Sequence, residues 1–184
     1  MSDLKNFDGL VSIREIEGQG MLVVRGDFSA AAFREAVAAL AGVDFPDQRQ
    51  AVVRDGRGVL WLSPDELAIL LPRSDANSAC ADLAAKLADQ HALVVDVSDA
   101  RAHFQIEGRV VRETIAKLAP VDMHPDAFAP GELRRTRFGQ VAAGFWLQDD
   151  RTARVFCFRS VREYMAKLLA VAADEKSEVA YFQK

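Results

Sequence analysis

The sequence predicts an α+β fold made of two internally duplicated β-α-β-β-α halves, and three observations carry that prediction. Short apolar runs bounded by turn residues recur along the chain, as strands do. A few longer stretches place their apolar residues at helical spacing. Two distant stretches also share wording and order. WLSPDELAILLPRS at 61–74 and WLQDDRTARVFCFRS at 146–160 both run Trp-Leu, a polar turn, an apolar strand and Arg-Ser, then a helix.

The elements follow in order. Residues 10–16 and 21–25 read as strands. A helix follows Asp27-Phe28-Ser29, with Phe33, Ala36, Val37 and Leu40 on one face, and Gly42 ends it. Residues 51–54 and 59–62 are strands separated by the glycine-rich turn Asp55-Gly56-Arg57-Gly58. Ser63-Pro64-Asp65-Glu66 could open a helix, but Pro72 would close it in under two turns, so residues 67–71 are read as a strand and Ser63–Glu66 as a turn. A helix begins near Ser74 or Asp75 and turns Ala79, Cys80, Leu83 and Leu87 inward. Strands at 92–97 and 102–106 precede a helix at 108–118 that buries Val111, Ile115 and Leu118. Residues 123–131 form a loop containing Pro125 and Pro130. Strands at 133–138, 141–147 and 153–158 lead to a last helix, for which Ser160-Val161-Arg162-Glu163 reads as a capping box. Its apolar face is Met165, Leu168, Leu169 and Ala172, and the residues from Asp174 on read as a solvated tail. The chain is thus expected to be one domain, 1–184, with pseudo-repeats at about 10–97 and 102–173. On that view Trp61 and Trp146 occupy equivalent places beside the following helices.

Composition narrows the function. Half of the 184 residues are apolar, the net charge is −4 and the pI is about 5.4. No overall basic field marks a nucleic-acid binder, and no run approaches the roughly 20 apolar residues of a membrane span. The N-terminus lacks the order of a signal peptide, so a cytoplasmic protein is expected. Cys80 and Cys157 form no disulfide framework and read as small buried hydrophobes.

Searches for reacting groups return little. Gly18-Gln19-Gly20 lacks the third glycine of a dinucleotide loop. His91, His103 and His124 lack metal-ligand spacing. His124, between Asp122 and Asp126, reads as a loop histidine bonded locally, and Ser63, Asp65 and Glu66 read as a turn. No residue is assigned a catalytic, cofactor-binding or metal-binding role. Arg134, Arg135, Arg137, Arg154, Arg159 and Arg162 make the C-terminal half locally basic. They form either a solvated face or a docking surface for an acidic partner or anionic ligand. Alternation along a strand puts Arg135 and Arg137 on one face and Arg134 on the other. The docking reading sets Arg135 and Arg137 against a partner, with Arg162 nearby.

WLSPDELAILLP, VDVSDARAHFQIEG, VDMHPDAFAPGE and FCFRSVREYMAKLL resemble, in that order, the landmarks of the gamma subunit of heterotetrameric sarcosine oxidase. Ser63 stands where that family usually has glycine and Met123 where it has leucine. The resemblance spans about 61–169; the N-terminal sixty residues agree in length and element order only. It implies a folate-binding-domain-like fold of the aminomethyltransferase type, with internal duplication. It implies alpha, beta and delta subunits as partners, and neither nucleic acid nor membrane. FAD, FMN, NAD and tetrahydrofolate are expected in the large subunits and zinc in the delta subunit. The implied reaction is oxidative demethylation of N-methylglycine to glycine, with tetrahydrofolate as one-carbon acceptor and release of hydrogen peroxide. Asp96, Ser98 and Gly108 match the family framework. Where the folate-binding cousins place acidic residues after a Gly-Gly turn, this chain has Ala142, Ala143 and Gly144, and Arg159-Ser160 replaces their Asn-Ala. Alanine and glycine can neither move a proton nor pair with a pterin. The expectation is therefore a non-catalytic subunit of an oxidoreductase complex. The alternative is a stand-alone folate-dependent aminomethyltransferase-like enzyme or a folate-binding protein.

Overall fold

The computed structural model describes residues 6–183. Along the chain run β1 (Asn6–Asp8), β2 (Ser12–Glu15), β3 (Gln19–Arg25), α1 (Ala31–Ala41), β4 (Ala51–Arg54), β5 (Arg57–Ser63), β6 (Glu66–Pro72), α2 (Ala76–Lys86) and β7 (Leu93–Asp96). There follow β8 (Arg101–Glu107), α3 (Val111–Ala116), β9 (Leu133–Phe138), β10 (Val141–Asp149), β11 (Thr152–Phe158) and α4 (Arg162–Ala172). They divide into two compact units, one of residues 18–99 and one of the described residues on either side of that span.

The 18–99 unit is a five-stranded antiparallel sheet, β4-β5-β6-β3-β7, with α1 and α2 on one face. Leu22, Val24, Val59, Leu67, Ile69 and Leu71 meet Phe33 and Val37 of α1 and Ala79 and Leu83 of α2 there. Gly42, at φ 72°, closes α1 with its N–H on Ala38 O at 2.8 Å, since glycine takes a left-handed cap without a Cβ clash. Asp55 and Gly56, both at positive φ, form the two-residue turn between β4 and β5, a geometry that suits the twist of a hairpin. Pro64 and Asp65 connect β5 to β6, as read. Ser63 Oγ donates to Asp65 Oδ1 at 2.8 Å, and Asp65 pairs with Arg25. The serine and the aspartate beside Trp61 therefore hold a hairpin. Asp96 accepts from the Ser98 amide at 2.9 Å, and Ser98 Oγ accepts from the Met21 amide at 3.0 Å, which fastens the end of β7 to β3.

The other unit is a six-stranded antiparallel sheet, β1-β2-β8-β11-β10-β9. Phe104, Ile106, Phe145, Leu147, Val155 and Cys157 project from one face. Against them pack Val111 and Ile115 of α3 and Met165, Ala166 and Leu169 of α4. The core continues through Phe128, stacked on Phe145 at 5.1 Å, and Phe138, edge-on to Phe145 at 5.6 Å. Cys157 is buried, and burial pushes its thiol up to about 11; Cys80 is half-buried. Both sheets contain the same neighbour order, β4-β5-β6-β3 in one and β9-β10-β11-β8 in the other.

Four readings of the sequence need correction. Residues 10–17 were grouped with the N-terminal half, but β2 pairs with β8 from Ser12↔Glu107 to Glu15↔Phe104. The N-terminal strands thus complete the sheet of the C-terminal residues, a long-range pairing that no local pattern encodes. Ser160 is not the cap of the last helix: residues 159–161 form a 3₁₀ turn, and Val161 precedes α4 with no side-chain cap bond. The tryptophans are not equivalent. Trp61 packs half-buried on the helix-covered face of its sheet. Trp146 is 1% exposed and points to the face opposite Leu147. The two stretches differ in length by one residue, and each hairpin has a register irregularity beside its turn. A one-residue shift exchanges the faces of a strand. Finally, the residues from 174 on are not a free tail. Glu113, with its side chain 4% exposed, accepts from the Val179 amide at 2.8 Å and the Tyr181 amide at 3.3 Å.

Candidate functional site

Only the helix-covered face of the six-stranded sheet is made mainly of aliphatic and aromatic groups. The other face carries arginines among aromatic rings. Cross-strand pairing arranges it in rows: the pairs Arg137–Ala142 and Phe158–Arg101, then Arg135–Gly144–Phe156–His103, then Leu133–Trp146–Arg154–Gln105. Side chains opposite one another in a ladder share a face. Arg135 and Arg137, two apart on β9, are therefore together on this face and exposed. The guanidinium of Arg101 lies over Phe158 at 4.0 Å, and that of Arg154 lies over Trp146 at 5.8 Å. Phe158 is 49% exposed. Arginine planes stack on rings with both dispersion and charge–quadrupole attraction.

His103 sits in the same face, buried, with neither ring nitrogen hydrogen-bonded among the described residues. Burial and the nearby charges of Arg154, Arg101 and Arg159 push its pKa down to about 3. It is neutral at physiological pH. Burial likewise lowers the pKa of Arg154.

The arginines singled out in the sequence do not form one group. Arg135, Arg137 and Arg154 share the face just described. Arg134 points to the opposite side, where it pairs with Glu132 at 3.0 Å and lies over Phe128 at 5.1 Å. Arg162 also belongs to the helix side. It pairs at 2.7 Å with Glu15, whose strand position is opposite core residue Phe104. The expected proximity of Arg162 to Arg135 and Arg137 is thus wrong, because α4 covers the other face. Arg101 was overlooked; its alternation with His103 at the start of β8 was the available signal. His124 bonds locally, as read. Its amide donates to Asp122 at 2.9 Å and its Nδ1 accepts from the Asp126 amide at 3.3 Å.

Two adjacent charges in α3 were missed altogether. Arg112 donates to Met123 O at 3.1 Å, Phe128 O at 2.8 Å and Asp150 at 2.8 Å, which closes the 123–131 loop. Glu113 holds the C-terminal segment and pairs with Lys117 at 3.1 Å. Burial alone would raise the Glu113 pKa. The Val179 amide, Lys117 and the Tyr181 amide outweigh it and hold the carboxyl below its usual range. A cavity of about 300 Å³ beside Glu113 is lined by Ala116, Val121, Met123, Tyr181 and Phe182. No signal in the sequence separates these two charges from an ordinary solvated helix face.

Ala142, Ala143 and Gly144, which the resemblance sets where folate enzymes carry acidic residues, offer no polar side chain. Ala143 is in the core, and a Cβ added at Gly144 would stand 2.2 Å from Phe156 Cζ. No side chain can grow there without displacing that ring, so these residues do not fit a folate. Among the described residues no three His, Cys, Asp or Glu side chains are grouped to hold a metal ion. No helix is long and apolar enough to cross a membrane.

The sheets and helices define an α+β fold of the aminomethyltransferase type. A solved glycine cleavage system aminomethyltransferase T from Bartonella henselae aligns with TM-score 0.63 and 10% identity, over 85% of this chain and 44% of that one. The chain belongs to the Sarcosine oxidase, gamma subunit family, whose profile matches residues 25–175. It is 29% identical over 172 residues to the sarcosine oxidase subunit gamma of Corynebacterium sp. (strain P-1), covering 91% of this chain and 82% of the relative. A chain of the heterotetrameric sarcosine oxidase from Corynebacterium sp. U-96, solved with pyrrole 2-carboxylate, aligns with TM-score 0.83 and 24% identity, over 95% of this chain and 90% of that one.

Proposed function

We propose that this chain is the gamma subunit of a heterotetrameric sarcosine oxidase and performs no chemistry of its own. Its partners are the alpha, beta and delta subunits. FAD, FMN, NAD and tetrahydrofolate stand in the large subunits and zinc in the delta subunit. The complex oxidises N-methylglycine to glycine in the cytoplasm, passes the methyl carbon to tetrahydrofolate and releases hydrogen peroxide. The single observation that carries the non-catalytic reading is the replacement of the acidic positions by Ala142, Ala143 and Gly144, with the Phe156 ring over the last of them. Family membership supports the complex. The shared neighbour order of the two sheets supports descent of both halves from one duplicated unit.

Affinity purification of the tagged chain from its native host tests this reading. Large, yellow flavoprotein chains in constant ratio are expected. A chain that elutes alone and binds tetrahydrofolate would instead support the folate-dependent alternative.

A further inference from the structure

We propose that the open edge of β7 accepts an extended apolar strand of a larger subunit, which continues the five-stranded sheet; the proposal rests on the subunit reading above. β7 ends the order β4-β5-β6-β3-β7, and among the described residues no strand pairs with its outer side. The Val97 amide donates to Met21 O at 2.9 Å. Backbone groups alternate in direction along an antiparallel ladder, and Leu22↔Asp96, Val23↔Val95 and Val24↔Val94 continue that register. Leu93 and Val95 therefore turn their backbone groups to β3, and the amides of Val94 and Asp96 point outward. The Val94 carbonyl accepts from Cys80 Sγ at 3.8 Å, a weak donor that leaves a lone pair for a further bond. The side chains agree. Ala92 and Val94 pack toward the helices. Leu93 and Val95 face the other way, 51% and 38% exposed. Residues 92–95 hold neither charge nor proline, and the β3–β7 ladder has no bulge. The devices by which a free edge resists pairing are thus missing, whereas β9, another edge, carries three arginines.

Area and charge choose the occupant. Four residues make a strand of about 13 Å. Pairing with a second copy through so short an edge falls well below the roughly 1,000 Å² of a stable interface. The occupant must be held elsewhere as well, and a subunit of one complex is, because its other contacts raise its effective concentration at the edge. A charged side chain set beside Leu93 or Val95 would lose water and gain no partner. The incoming strand is therefore apolar at alternate positions, as β-branched or aliphatic cross-strand pairs require. Main-chain bonds supply the hold, and the alternate side chains select the segment.

The test uses the full chain, alone and in the complex formed by co-expression with the large subunits. Amide hydrogen exchange is followed residue by residue over 92–97 in both states. The Val94 and Asp96 amides are expected to exchange on the order of a hundredfold more slowly in the complex. Leu93→Lys/Val95→Lys places two ammonium groups on the edge. It is expected to melt with the wild type, since both side chains are exposed, and to leave the complex at least about tenfold faster. Equal exchange of the Val94 and Asp96 amides in the two states overturns this proposal alone, because no strand is then added. A lysine variant that stays in the complex as long as the wild type does so too. A dimer of the isolated chain that protects the same two amides assigns the edge to a second copy and also overturns it. A wild-type chain that joins none of the large subunits overturns the subunit reading, and this proposal with it.

Discussion

The two ring nitrogens of His103 lie buried beside Arg101, Arg154 and Arg159, with the pKa pushed down to about 3. The unfolded chain binds this proton near pH 6.5, while the folded chain refuses it until about pH 3. Stability from this group is complete above pH 6.5 and falls as the pH drops between those values, with a slope approaching about 1.4 kcal/mol per pH unit. Replacing His103 with Gln should remove that slope. Urea unfolding of both proteins at pH 7, 6 and 5 checks it: a stability difference that stays constant with pH contradicts the assignment. The tryptophans differ at the same scale. Trp146→Ala should cost roughly 3–5 kcal/mol, as for other fully buried large aromatic side chains. Trp61→Ala should cost less, because water already reaches part of its ring. Equal losses in urea unfolding would show that the two environments are alike.

Elements were legible where local chemistry decides them. The Ser63–Glu66 turn followed from Pro72, which leaves no room for a helix, and the end of α1 followed from Gly42. What escaped was decided by distant partners. The pairing of β2 with β8, from Ser12↔Glu107 to Glu15↔Phe104, spans about half of the chain. The Ser160 cap was displaced by a 3₁₀ turn. The C-terminal segment is tied to residues far earlier in sequence, the Val179 amide to Glu113 at 2.8 Å and Ser177 to Lys117 at 3.1 Å. The arginine-bearing face was half legible: alternation gave Arg135 and Arg137, but not the burial of His103 or the stacking of Arg101. Glu113→Gln should weaken the hold on residues 179–181 while leaving α3 in place. Trypsin cleavage after the exposed Lys176 should then be several-fold faster. A depressed carboxyl pKa stabilises above the ordinary glutamate range and loses that contribution as pH falls through the lowered value. Acid release of the wild-type segment should therefore begin only below the ordinary glutamate range. Unchanged cleavage in the variant would show that Glu113 is dispensable and that the contacts of Phe182, Lys117 with Ser177 and Arg109 with Glu178 hold the segment.

At the scale of the molecule, each sheet keeps one apolar face for its own helices. On the proposed reading, the folate-type fold persists while Ala142, Ala143 and Gly144 stand at the positions the resemblance aligns with acid groups, and the chain serves the oxidoreductase through the surfaces it offers to other subunits. The central claim is that it contributes assembly and not turnover. The most direct test is sarcosine-dependent hydrogen peroxide release by the purified chain alone, with and without tetrahydrofolate, beside the intact complex under the same conditions. The account predicts no peroxide and no flavin absorbance from the isolated chain, and full turnover from the complex. Sarcosine-dependent peroxide formation by the isolated chain would contradict it.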